Sequence, residues 1–307
     1  MATSKSDATT KKGEKLPSLI QRLENDLMKF VYDSNFIEVT GSDFKVTERI
    51  CHKIFRGEEV VAKVEPQTEE YELARAALIT LNRPYTEDEI IQSRQEIINH
   101  ATALKYAINY FIVEKGDITE GFLKEVHTRL CAGSVLGEDA GKPGQYRTWE
   151  IAARHGKDMK QKSIFIRAST VPAYMASFVE DLAKDIATVE TRVEDPFDMA
   201  SRYSHRFVCI HPFGDGNGRM CRIILNLILL RYVGYVISFG GTETEREKYL
   251  DIARRSNKKF HEEDMEVPEE EKEGHWELKR FISAKVVAPE SLLTWKGLFK
   301  TLSTIPE

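Results

Sequence analysis

Long apolar runs are missing from this chain of 307 residues. No apolar segment follows Met1, so no secretory signal is expected. The longest apolar stretch lies after Arg222. It is too short to span a bilayer and is interrupted by Asn226 and Arg231, so no membrane partner is expected. Cysteine is scarce: Cys51, Cys131, Cys209 and Cys221 show no C-x-x-C spacing, which suits reduced thiols and a cytoplasmic location. Neither sign of charge dominates. A net charge of -5 implies no broad affinity for nucleic acid or membranes. The Walker A pattern and the dinucleotide fingerprint G-x-G-x-x-G are both absent, as is any internal repeat. What remains is a globular composition, 41% hydrophobic and 30% charged, long enough to bury a sizeable core.

One stretch concentrates the chemistry: His211 to Arg222, reading H-P-F-G-D-G-N-G-R-M-C-R. Pro212 biases His211 away from helical angles, so a preceding helix should stop there. Gly214, Gly216 and Gly218 permit a tight turn and close approach of backbone to a ligand. A helix restarting near Asn217 or Gly218 would offer unpaired N–H groups and the positive end of its dipole to a phosphate. Arg219 and Arg222 are three apart on its first turn, and each can fork onto phosphate oxygens. Asp215 among these cations needs a divalent ion between it and a polyphosphate, and Mg²⁺ fits. His211 titrates near neutrality, which suits a general base. The residues alone point to transfer of a phosphorus-containing group to an alcohol.

This stretch resembles the signature of the Fic (Fido) family, H-P-F-x-[DE]-G-N-G-R-x-x-R, at every specified position. The resemblance implies a mainly α Fic-fold helical bundle with one β-hairpin flap over the active site. It implies a protein adenylyltransferase that moves AMP from ATP, with Mg²⁺, onto a Ser, Thr or Tyr hydroxyl of a protein. Carried over by position, His211 is the base and Asp215 the metal ligand. Gly216, Asn217 and Gly218 form the anion-binding turn, Arg219 and Arg222 grip the phosphates, and Phe213 holds the loop from the core. The intact D-G-N-G-R core departs from the related kinase subgroup, which replaces the second Gly with Lys. Other readings of the same site are removal of AMP, transfer of a different nucleotide or phosphocholine, and a non-catalytic nucleotide-sensing module. Self-adenylylation and a homodimer are further properties that relatives suggest.

The N-terminal region divides into a polar tail expected to be disordered, 1–15, and a helical part, 16–65. Leu19, Leu23, Leu27, Phe30 and Val31 recur at helical spacing and predict a helix to about Glu38. It ends in D-S-N-F-I-E-V-T-G, with Ser34 and Glu38 on one face. This resembles the inhibitory motif [ST]-x-x-x-E-[GN] of Fic proteins, in which the Glu pairs with the second signature arginine, here Arg222. The resemblance implies autoinhibition by Ser34 and Glu38. Val39 stands where Gly or Asn is expected. A β-branched residue ends a helix poorly, so Gly41 is expected to serve instead.

Residues 66–290 are expected to form the Fic domain and 291–307 a tail or short helix. Thr86-Glu87-Asp88-Glu89 reads as a capping box opening a helix, and QEIINHATAL within it resembles a family segment. Asn99, His100 and His127 are read as structural. G-K-P-G-Q-Y-R-T resembles the family's element before the flap. The runs W-E-I-A-A-R and S-I-F-I-R read as the strands of a hairpin. As the family's flap, it would hold a target segment by β-augmentation, with Ile164, Phe165 and Ile166 as candidate lining. A helix over 243–260 carries Tyr249 and Asn257, which in the family lie near the adenosine. The acidic run 261–275 reads as a solvated loop.

Overall fold

The computed structural model describes residues 6–133, 141–155, 158–190, 195–264, 266–268 and 271–286. The expected C-terminal segment, 291–307, lies outside them, as do residues 134–140 before the flap. Ten α-helices and one hairpin form among the described residues. None of the helices is long and apolar enough to cross a membrane.

The bundle is built around α7 (Pro196–Ile210) and α8 (Asn217–Tyr232), two helices joined by the His211–Gly216 turn. α8 has no polar face to offer water: Met220, Cys221 and Ile223–Leu230 are all buried, Asn226 included. Such a helix belongs inside a bundle. Asn226 pays its desolvation by donating to the carbonyls of Arg222 and Ile237 and accepting from the Ile237 N–H. Burying each large aliphatic side chain contributes about 1.5–3 kcal/mol.

Capping side chains open six of the helices. Asp43 accepts from the Val46 N–H to open α2 (Phe44–Phe55). Thr68 opens α3 (Glu69–Thr80) and Thr86 opens α4 (Glu87–Ile108) in the same way. Thr119 opens α5 (Glu120–Leu130), Asp195 opens α7, and Thr242 opens α9 (Glu243–Glu263). A π-helical turn, Asn109–Val113, extends α4. The hairpin pairs β1 (Ala152–His155) with β2 (Asp158–Ile164), antiparallel, Ala152 facing Ile164. α6 (Val171–Glu190) follows it, and α10 (Trp276–Ser283) closes the described chain.

α1 runs Ser6–Ile37, so it takes in most of the stretch expected to be a polar tail. Its apolar stripe buries Leu23, Leu27, Phe30, Val31 and Ile37. Its far end settles the question raised by Val39. The Val39 N–H reaches the Phe36 carbonyl and the Thr40 N–H reaches back to Asn35, the paired bonds of a Schellman motif. The left-handed residue of that motif is Val39 itself, at φ 59°. Gly41 is also left-handed, at φ 70°, but it lies beyond the helix end and does not replace Val39. Another correction concerns the acidic run. α9 continues through Glu263, which is buried and accepts from the N–H groups of Glu273 and Gly274, so part of the run is structural.

A β-branched residue held left-handed is strained, because its Cβ crowds the carbonyl. Val39→Gly, at a side chain 56% exposed, is expected to stabilise the protein by about 1 kcal/mol in urea unfolding, the lost strain exceeding the entropy that Gly adds to the unfolded chain.

Candidate active site

The turn between α7 and α8 is fixed from three sides. Asn217 closes it from within: its Oδ1 accepts from the Phe213 N–H at 3.0 Å and its Nδ2 donates to the Phe213 carbonyl at 2.8 Å. The Asn217 side chain is therefore spent on the loop, and only its backbone is left for an anion. His127 closes the turn from α5. Its Nδ1 accepts from the Gly144 N–H at 2.8 Å, so its Nε2 carries the proton and donates to the Asp215 carbonyl at 3.0 Å. Its ring stacks on Phe213 with centroids 3.7 Å apart. Burial pushes its pKa down to about 4, which keeps it neutral, and its two backbone partners fix that tautomer. Gly216 lies against this histidine: a Cβ there would meet Cys131 Sγ at 3.2 Å and His127 Nε2 at 3.4 Å, and its φ is 74°.

Arg147 closes the turn from beneath the flap. Its side chain is wholly buried and donates to four carbonyls: His211 at 2.7 Å, Trp149 at 3.0 Å, Ile166 at 2.6 Å and Ile210 at 3.3 Å. One guanidinium thus ties both roots of the hairpin to the backbone of the histidine. Neither His127 nor Arg147 stands among the site residues expected from sequence. Their signal was present, since Arg147 ends the G-K-P-G-Q-Y-R element, but their partners are carbonyls, which any residue can supply.

His211 itself is left-handed, φ 53° and ψ 59°, and caps α7 through its N–H to the Phe207 carbonyl. Its Nδ1 lies 3.2 Å from the Val208 carbonyl, which can only accept, so Nδ1 carries the proton and Nε2 keeps its lone pair. Phe165 stacks on the imidazole, centroids 3.8 Å apart. Burial lowers the His211 pKa to about 4, so the ring is an unprotonated base at neutral pH.

α8 starts at Asn217 with left-handed Gly216 before it and no side chain capping it. Its first N–H groups have no intrahelical partners. Arg219 is buried, with NH2 3.4 Å from Asp215 Oδ2, and its Nε has no hydrogen-bond partner among the described residues. Asp215 is 56% exposed. Arg222 is 2% exposed and engaged by α1: its Nε donates to Ser34 Oγ at 2.8 Å, and its NH2 to the Ser34 carbonyl at 3.0 Å and Glu38 Oε1 at 2.6 Å. Tyr249 lies beneath, its ring centroid 5.7 Å from the guanidinium carbon. The Glu38 carboxylate hangs over the helix start, where a Cβ on Gly218 would collide with it. Burial works to raise the Glu38 pKa, but Arg222, with smaller contributions from Arg219 and His211, outweighs it and holds the carboxyl below its usual range. Its side chain is still 34% exposed, so the pair is buried on the arginine side only.

The remaining expected residues fall around this centre. Ile164 is 51% exposed and free to face a target, and Phe165 covers the histidine. Ile166 is buried at 6%, so it anchors the flap and cannot line a docking surface. Asn257 is buried on α9 and donates to the Ile164 carbonyl at 3.1 Å. His100 is buried and neutral, with Nδ1 2.8 Å from Asn35 Oδ1 on α1.

A histidine with a free ring nitrogen, two arginines and an uncapped helix start beneath a hairpin give this site groups that can accept a proton and hold an anion. Residues 117–229 match the model of the Fic/DOC family. It is similar to the protein adenylyltransferase fic-1 of Caenorhabditis briggsae, 27% identical over 164 residues, which cover 53% of this chain and 29% of that protein. It is also similar to the protein adenylyltransferase Fic of Drosophila melanogaster, 25% identical over 189 residues, 60% of this chain and 34% of that one. The chain therefore spans about a third or less of these relatives' length. Its fold is that of a Fic domain containing signaling protein from Bacteroides thetaiotaomicron, with a TM-score of 0.60 at 19% identity, covering 94% of this chain and 90% of that one.

His127 and His211 bind fewer protons folded than unfolded, since their pKa values are depressed to about 4 from about 6.5. Stability should therefore be full above pH 6.5 and fall as the pH drops towards 4. Melting temperatures across that window check this, and His127→Gln should flatten part of the slope.

Proposed function

We propose that this chain transfers AMP from ATP to a side-chain hydroxyl of a protein, and that Glu38 restrains it in cis. The observation that carries the reading is the meeting of His211 Nε2, the open start of α8 and the Glu38–Arg222 pair within one turn. The target hydroxyl would give its proton to His211 Nε2 as its oxygen bonds to the α-phosphorus. The bond from that phosphorus to the pyrophosphate oxygen breaks, and pyrophosphate leaves. Arg219, Arg222 and the first N–H groups of α8 are placed to stabilise the charge that develops on the phosphates. Tyr249 and Asn257 would line the nucleoside end. Ile164 and the hairpin edge would seat the target by strand addition.

The donor set fits one Mg²⁺. Asp215 is a single exposed carboxylate at the phosphate turn, and Mg²⁺ typically takes one or two carboxylates plus phosphate oxygens. Bound there, the ion would offset charge on the leaving phosphates. Restraint follows from occupancy. Arg222 has two donors on Ser34 and one on Glu38, and the Glu38 carboxylate stands where an outer phosphate would reach the same arginine. An ionised Glu38 within electrostatic reach of His211 also favours a second reading. It could orient water to remove AMP from a modified target by the same residues. Incubation with pre-modified target separates the two directions.

The test uses labelled ATP with lysate. Glu38→Gly should raise transfer to protein at least tenfold, on the order of one charged hydrogen bond released. Ser34→Ala should raise it less, and His211→Ala should abolish it. Equal labelling by Glu38→Gly and His211→Ala would rule the reading out.

A further inference from the structure

On α9, Asn257 and His261 are four apart and so share a face. Both donors converge on one atom, the carbonyl oxygen of Ile164 at the end of β2. Asn257 Nδ2 lies 3.1 Å from it and His261 Nε2 lies 2.7 Å from it. A carbonyl only accepts, so His261 carries its proton on Nε2. The next residue along the chain is Phe165, whose ring lies on the His211 imidazole.

The support behind this contact is firm. The half of α9 that carries it is tied into the bundle on its other sides: the Ser256 carbonyl accepts from His205 Nε2 at 3.0 Å, Asp264 accepts from Tyr174 Oη at 2.5 Å, and buried Glu263 holds the N–H groups of Glu273 and Gly274. From the opposite side, Arg147 holds the Ile166 carbonyl. The segment Ile164–Ile166 is thus gripped at its first and last carbonyls, with Phe165 between them and its ring on the histidine.

We propose that His261 is a positioning residue for the reaction: it pins the end of the flap to α9, keeps Phe165 stacked on His211, and fixes the register in which the flap presents its edge to a protein target. This deepens the adenylyltransferase reading and rests on it for the consequence, but the pin itself does not. His261 touches neither the phosphate turn nor the base. Its effect travels through one carbonyl and one aromatic ring. Losing it should raise the KM for the protein target about fivefold to tenfold, the worth of one net hydrogen bond, and leave the KM for ATP within about twofold.

Two measurements test the pin without any transfer reaction. Amide hydrogen exchange reports opening of the flap, and the NMR shifts of the His211 ring protons report the aromatic ring above it. In His261→Ala, exchange over residues 158–166 should rise about fivefold or more while α7 and α8 keep wild-type protection. The His211 resonances should move towards those of an unstacked imidazole. His261→Gln, which keeps a donor at similar reach, should restore both. Unchanged exchange in His261→Ala overturns the proposal. So does a uniform rise across the whole bundle with a lowered Tm, which would make His261 merely structural. If the flap loosens as expected but no variant transfers AMP, the pin stands and the functional reading fails.

Discussion

A buried guanidinium must have partners for its donors and its charge. Arg222 sits at 2% exposure on the second turn of an apolar helix whose start already presents a positive end. Leaving that charge unpaired would be costly, and several features of the structure supply a partner. α1 crosses the bundle to bring Ser34 and Glu38 to it. Val39 is held left-handed to end α1 just past Glu38. The carboxylate that satisfies Arg222 stays a third exposed, and on the proposed reading a phosphate would displace it. Exchange of one anion for another at this arginine is how the proposed function joins restraint to substrate binding.

The rest of the site serves to hold the backbone around that arginine. Asn217, His127 and Arg147 spend nearly all their hydrogen bonds on main-chain groups of the signature turn and flap. The turn is therefore ordered before any ligand arrives, and catalysis by fixed dipoles depends on such order. His211 gains the most. Its tautomer is set by Val208, its backbone by Arg147, and its ring plane by Phe165. Each of the three partners comes from a different element.

The signature turn was legible in the sequence because its chemistry is local. Twelve consecutive residues carried the base, the acid, the glycines and the arginines. The helices were legible too, since Thr68, Thr86, Thr119 and Thr242 each announce a start and act over three residues. The grip of His261 on Ile164 was not, because a side chain meeting a distant carbonyl leaves no pattern in either segment. The same holds for His127, whose partners are two backbone groups. Val39 misled for another reason. Local preference opposed the left-handed turn, and the tertiary contacts of α1 overrode it. Ile166 belongs to this group as well: alternation along the flap could not say which side chain turns inward.

The contest between Glu38 and a phosphate for Arg222 is open to direct measurement by calorimetric titration of ATP with magnesium into the wild-type protein and into Glu38→Gly. The expected result is binding at least about tenfold tighter in the variant, the effect of freeing one charged hydrogen bond. Equal affinity in the two proteins, or no binding in either, would mean that Arg222 is not the seat of a phosphate.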